Sequence, residues 1–203
     1  MPQLFAQLSY QDICGAVALI MSFIGTSIYI RSILKGQTKP HLYTWIIFTL
    51  LTGIAFFAQI SDNAGPAAWV MGGNAALCFL IVILCLKYGH KNKTTFDKVA
   101  LSFSMMSILP WLITKDPLLS VIMISLIDSA AMLPTLRKSW NFPEQENLSN
   151  YLIQNLKNII TLFALTHVSL TNSLYIISII LVNTSLIGVC VFRRRVLSRH
   201  QIL

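Results

Sequence analysis

Two charged residues stand where their neighbours are apolar. Asp128 follows the uncharged run LLSVIMISLI, and Lys157 lies in SNYLIQNLKNIITLFAL among Asn150, Gln154, Asn158 and Thr161. A carboxylate and an ammonium inside apolar helices are costly, and such groups mark ion pairs, proton relays or solute sites. The spacing of three and four around Lys157 puts these polar residues on one helical face. In a bilayer that face must look toward protein or a wet cavity, because nothing in lipid satisfies it. Asp128 is nine residues before Arg137 and Lys157 ten beyond Asn147, so both sit about 13 to 15 Å deep at helical rise. Opposite charges at one depth define either a structural pair or a gate or proton-coupling site, with direct contact left open.

The elements that position them follow from composition. With 203 residues, 55% hydrophobic and 11% charged, and a mean hydropathy of +0.69, the chain departs from soluble domains, in which about a quarter of residues are charged. Runs of about 20 apolar residues, enough to cross a hydrocarbon core, occur near 12–33, 42–61, 66–87, 97–114, 117–136, 148–167 and 171–192. The fourth and fifth are divided by TKDP, whose proline starts a helix. The expected fold is therefore an all-α integral membrane protein with seven transmembrane helices.

A net charge of +8 raises the question of nucleic acid, and its placement answers it. Arg31, Lys35 and Lys39 follow the first span; Lys87, Lys91, Lys93 and Lys98 the third; Arg137 and Lys138 the fifth; Arg193, Arg194, Arg195 and Arg199 the seventh. Only Lys115 marks the opposite ends, and Lys157 is inside the sixth span. This asymmetry is the positive-inside pattern of a cell (inner) membrane protein with its N-terminus outside and its C-terminus cytoplasmic. No nucleic-acid partner is expected; the bilayer is.

Cys14, Cys78, Cys85 and Cys190 fall inside spans without C-x-x-C spacing, so neither metal nor disulfide is expected. His41, His90, His167 and His200 lie at span ends and read as solvated or interfacial. The N-terminal MPQLFAQLSYQD lacks a basic leader and a small-residue cleavage site, so the first span is expected to be retained. No nucleophile with a neighbouring base and no phosphate loop is present, which argues against an enzyme and against a cofactor.

An internal repeat organises the spans. FIGTSIYIRSILKG, from Phe23 to Gly36, aligns with LIDSAAMLPTLRKS, from Leu126 to Ser139, placing Lys35 over Lys138 and Thr26 over Ser129, each followed by a proline, Pro40 or Pro143. Each helix opens a set of three, which gives a 3+1+3 arrangement: a first repeat over 1–95, a linker helix over 96–116, and a second repeat over 117–203 with a short basic tail. Parallel repeats of this kind enclose a polar cavity near the midplane.

This layout and the segment MLPTLRKSWNFPEQENLSNYLIQ resemble the PQ-loop and SWEET superfamily, whose signature is a Pro-Gln pair closing a helix. Here Pro134-Thr135 stands in the second repeat and Arg31-Ser32 in the first. The resemblance implies a hinge at Pro134, where a proline frees a carbonyl and kinks the helix. It also implies cavity-facing asparagines in the third helix of each repeat, at Asn74 in WVMGGNAALCF and Asn183 in IILVNTSLIGV. Asn74, beside Gly72 and Gly73, reads equally as glue between closely packed helices. Trp69 reads either as the cavity floor or as part of the aromatic belt. With Gln154 and Asn158, these residues suit a small polar solute that both donates and accepts hydrogen bonds. The expected function is a facilitated or proton-coupled transporter of a metabolite such as a sugar or vitamin. The alternative is a non-transporting receptor or scaffold on the same fold, and dimerisation stays open.

Overall fold

The computed structural model describes residues 8–36, 40–89, 95–107, 109–141, 143–145 and 148–200. Lys39, His90, Lys91, Lys93 and Asn147 lie outside the described residues, as do the side chains of Pro134, Lys138, Arg199 and His200. Among the described residues every regular element is a helix: α1 (Tyr10–Leu34), α2 (Leu42–Ser61), α3 (Pro66–Tyr88), α4 (Thr95–Met106), α5 (Leu109–Thr114), α6 (Pro117–Ala131), α7 (Leu133–Asn141), α8 (Leu148–Phe163) and α9 (Leu170–His200), with one 3-10 turn at Pro143–Gln145. Five stretches are long and apolar enough to cross a membrane: α1, α2, α3, the α6–α7 run and α9 as far as Leu197. Ile13, Ile20, Phe23, Ile24 and Ile28 leave one flank of α1 apolar and exposed. Water does not tolerate so continuous an apolar stripe, whereas lipid requires it.

Local chemistry sets the ends. Ser9 and Asp12 form a reciprocal capping box at α1, with Asp12 N–H donating to Ser9 Oγ at 3.2 Å and Ser9 N–H to Asp12 Oδ2 at 2.9 Å, which satisfies two donors that a helix start leaves open. Asp116 caps α6 by accepting from Leu118 N–H at 2.9 Å, and Pro117 follows it at the first helical position.

Two expected spans are interrupted. The fourth divides into α4 and α5 around Ser107, whose hydroxyl turns back to donate to the Ser104 carbonyl at 2.6 Å, and Pro110 lacks the N–H that would continue the ladder. The fifth divides at Met132, two residues before Pro134, so that the proline falls in the first turn of α7, where its missing N–H costs nothing.

Helix packing repeats itself. Helix α3 lies against both α1 and α2, and α9 against both α6 and α8, so in each set the third helix is the central one. Across the sets α1 packs on α8 and α2 on α6, while α4 touches α2 and α6. Exchanging α1, α2 and α3 for α6, α8 and α9 reproduces the contacts within and between the sets, those of α4 apart. Glycines permit the closest approaches. A Cβ on Gly73 would stand 2.2 Å from Leu19 Cδ1 of α1, and one on Gly72 would stand 2.8 Å from Phe56 Cε2 of α2.

One end of the bundle carries the α2–α3 and α8–α9 turns, here the Asp62 end; the other carries Arg193 and Arg194. The largest apolar cluster joins Leu51, Ile54, Ala55 and Ala58 of α2 and Met71 of α3 to Val121 and Ile124 of α6 and Tyr175 and Ile176 of α9. It bridges the two sets in the half nearer Asp62. Toward the arginine end, the cluster around Ile33, Ile81 and Cys85 involves only α1 to α3.

Candidate functional site

The polar face of α8 turns inward. Lys157 is 9% exposed, Asn158 1% and Thr161 fully buried; Gln154 is half-buried, and Asn150, a turn nearer the arginine end, is exposed. The Thr161 hydroxyl is used within the helix, donating to the Lys157 carbonyl at 2.9 Å. Asn155, on the flank toward α9, donates from Nδ2 to Thr184 Oγ1 at 2.9 Å and more weakly to the Ile180 carbonyl at 3.4 Å. Among the described residues the buried side-chain carbonyl oxygens of Asn155 and Asn158 have no partner. Such an atom forfeits its hydration and regains nothing, a loss of about 1–3 kcal/mol.

The Lys157 ammonium is electrostatically close to Cys78 of α3, and Cys78 is hydrogen-bonded with Thr52 of α2. Tyr175 of α9 feels both Cys78 and Asp128 of α6. Lys157 of α8 and Cys78 of α3 are thus electrostatic neighbours, as are Tyr175 of α9 and Asp128 of α6. Among the described residues Lys157 and Asp128 make no ion pair within 4.0 Å, for α9 lies between α6 and α8. The residues sequence reasoning missed are Tyr175, Cys78 and Asn155. Thiols and phenols pass for apolar in a span, and only long-range packing brings Cys78 near Lys157 and Tyr175 near Asp128.

Among the residues singled out from the sequence, Asn158 and Gln154 share the inward face of α8 with Lys157. Asn74 is half-buried, one turn before Cys78 on the same side of α3. Asn183 is buried in α9. Trp69, 54% exposed, belongs to the outward stripe of α3 with Leu80 and Ile83.

A second polar constellation closes the Asp62 end, where the α2–α3 turn meets the α8–α9 turn. Thr166 N–H donates to the Ala64 carbonyl at 3.0 Å and Thr166 Oγ1 to the Asn63 carbonyl at 3.0 Å. Asn172 Nδ2 reaches the carbonyls of Asp62 at 3.0 Å and His167 at 2.9 Å. Ser169 Oγ donates to Asp62 Oδ2, and His167 Nδ1 lies 3.7 Å from that carboxylate oxygen. Gln59 Nε2 adds a bond to the Asn172 carbonyl at 2.9 Å. Gly65, at φ +71°, lets the turn press on Thr166, where a Cβ would come within 2.5 Å. His167, which the sequence suggests is merely interfacial, is therefore part of a junction between the two sets.

The arginine end is fastened differently. Arg193 Nε donates to the Trp140 carbonyl at 2.7 Å and its guanidinium lies 4.9 Å from the Trp140 ring centroid. Arg194 donates from Nη2 to the Pro143 carbonyl at 2.8 Å and stands 3.5 Å from Glu144. These contacts tie α9 to α7 within one set.

No group of His, Cys, Asp or Glu suited to a metal is found among the described residues. Comparison with protein-family models, with curated proteins and with solved structures finds no match to this chain.

Proposed function

We propose that the chain is a seven-span transporter of a small polar metabolite, with a 3+1+3 arrangement and alternating access at the junction of the repeats. Helices α1 to α3 form the first repeat, α4 and α5 together the linker, and α6 with α7, α8 and α9 the second. The observation that carries this reading is the burial of Lys157, Asn158 and Thr161 on α8, a helix that packs on α1 and α3 of the other set. A purely structural membrane bundle gains nothing by burying an unpaired ammonium there. Asn74 and Asn183 flank this region on the two central helices, and Pro134 sits beside the break at Met132.

On the positive-inside asymmetry, the Asp62 end faces outward and the arginine end the cytoplasm. The conformation is then one closed on the outside, by the Asp62 junction and the apolar cluster beneath it. Transport requires that this closure open while the other side shuts. Purified protein in liposomes, screened for counterflow of labelled sugars, nucleosides and carboxylic acids, tests the proposal. Saturable flux in at least one class is expected, and binding without any flux would favour a receptor. A reporter fused at the Asp62 turn should read external and one after Arg199 cytoplasmic.

A further inference from the structure

The interior holds an imbalance of hydrogen-bonding groups. Lys157 presents an ammonium with three donors, and among the described residues no carboxylate, carbonyl or hydroxyl accepts from it; the thiol of Cys78 is its electrostatic neighbour. One residue on, about 100° around the helix, the 1%-exposed Asn158 holds an acceptor oxygen with no donor among the described residues. Asp128, the acid nearest in kind, is beyond α9 on a helix that does not pack on α8. Every other fixed charge of known placement is at a bundle end. The site therefore lacks one anion and one hydrogen-bond donor.

We propose, resting on the transporter reading, that the solute is a hydroxylated carboxylate, its carboxylate held by Lys157 and a hydroxyl donating to Asn158 Oδ1. A neutral sugar supplies donors but leaves the ammonium unpaired, which in a bilayer interior is the more costly default. A bare inorganic anion pairs the ammonium and leaves Asn158 unsatisfied. A hydroxy acid meets both needs at once, and charge-assisted bonds to it are about twice as strong as neutral ones. Gln154, half-buried one turn toward the arginine end, and Asn74 on the facing helix are placed to bond further hydroxyls of a longer acid.

The test uses the full-length protein in detergent and four compounds that separate charge from hydroxyl: lactate, lactamide, propionate and propionamide, with gluconate and glucose as a longer pair. Binding is read by thermal shift and calorimetry at constant ionic strength set with sodium chloride. Lactate or gluconate is expected to bind roughly tenfold or more tightly than its neutral counterpart, a difference of one decade in Kd, and lactate more tightly than propionate. Lys157→Gln should abolish the preference for acids, Lys157→Arg should keep part of it, and Asn158→Leu should remove the preference for lactate over propionate. Equal binding of acids and neutral partners, binding of chloride or propionate as tight as lactate, or no binding by any of the six overturns the proposal. Should a substituted protein fail to fold, the comparison among compounds on the unsubstituted chain still decides. Counterflow of the same compounds keeps the two readings apart. Flux of glucose but not gluconate leaves the transporter and removes the hydroxy acid, whereas selective acid binding without flux does the opposite.

Discussion

The Asp62 junction and the interior around Lys157 are both polar, both partly or wholly buried, and both set between the two helix sets, yet they differ in how their groups are satisfied. At the junction Asp62, Thr166, His167, Ser169 and Asn172 bond mainly one another and the backbone of the facing turn, with only the Gln59 and Asn172 amide oxygens left over. In the interior, among the described residues, Lys157 and Asn158 make no hydrogen bond across the helix boundary. Buried polar groups in folded proteins are normally paired; each region leaves two amide oxygens over, so the ammonium of Lys157 is what sets the interior apart. On the transporter reading the difference would separate a latch from a binding site: removing a junction group should weaken the structure, and removing an interior group should weaken function alone.

Lys157→Met is the strongest test of that contrast. It deletes an unpaired buried charge, so the detergent-solubilised protein should melt at the same or a higher temperature, since replacing an unsatisfied buried polar group by an apolar one of similar shape is neutral or stabilising. Counterflow should fall below detection. A drop in melting temperature with flux preserved would show that Lys157 is structural and dissolve the comparison.

The junction should give the opposite result. Asn172→Ala strips donors from the Asp62 and His167 carbonyls together, which should cost about 2–4 kcal/mol at the usual penalty for unsatisfied buried acceptors. The Asp62 side should then become accessible, read by faster labelling of a cysteine introduced at Thr52. Gly65→Ala should cost somewhat less, about 1–3 kcal/mol, from the positive φ and the encounter with Thr166. Loss of melting temperature without any rise in labelling would mean that the junction braces the bundle and does not gate it.

How far these regions are legible in the sequence follows the same division. The span expected over 42–61 coincides with α2, and the polar spacing along α8 marks its inward face, because hydrophobic length and periodicity are local. The division of the fifth span at Met132 was written in Pro134. The extension of α9 to His200, well past the expected 192, was not, since it depends on Arg193 and Arg194 finding Trp140 and Pro143 about 50 residues earlier. The Asp62 junction was equally hidden: its partners are separated by more than 100 residues, and each turn alone reads as an ordinary polar loop. The interior was half legible. Its charges stand out against their apolar context, whereas Tyr175 and Cys78 carry no signal until α9 and α3 bring them together.

The smallest expected effect concerns the two charges with which the sequence invites the simplest explanation. At matched depth Asp128 and Lys157 read as an ion pair, and a pair would show as strong non-additivity: each single neutralisation damaging, the double one restored. In the structure α9 lies between their helices, and Asp128 acts on Tyr175 while Lys157 acts on Cys78. Residues that share no contact add to within about 0.3–0.5 kcal/mol. Asp128→Asn combined with Lys157→Met should therefore show the sum of the two single changes in melting free energy, with a coupling no larger than that. A coupling above about 1 kcal/mol would mean that the charges meet in a conformation other than this one. In that case Asp128 would be the counter-ion that holds Lys157 between solute-binding events, and a carboxylate solute would have to displace it.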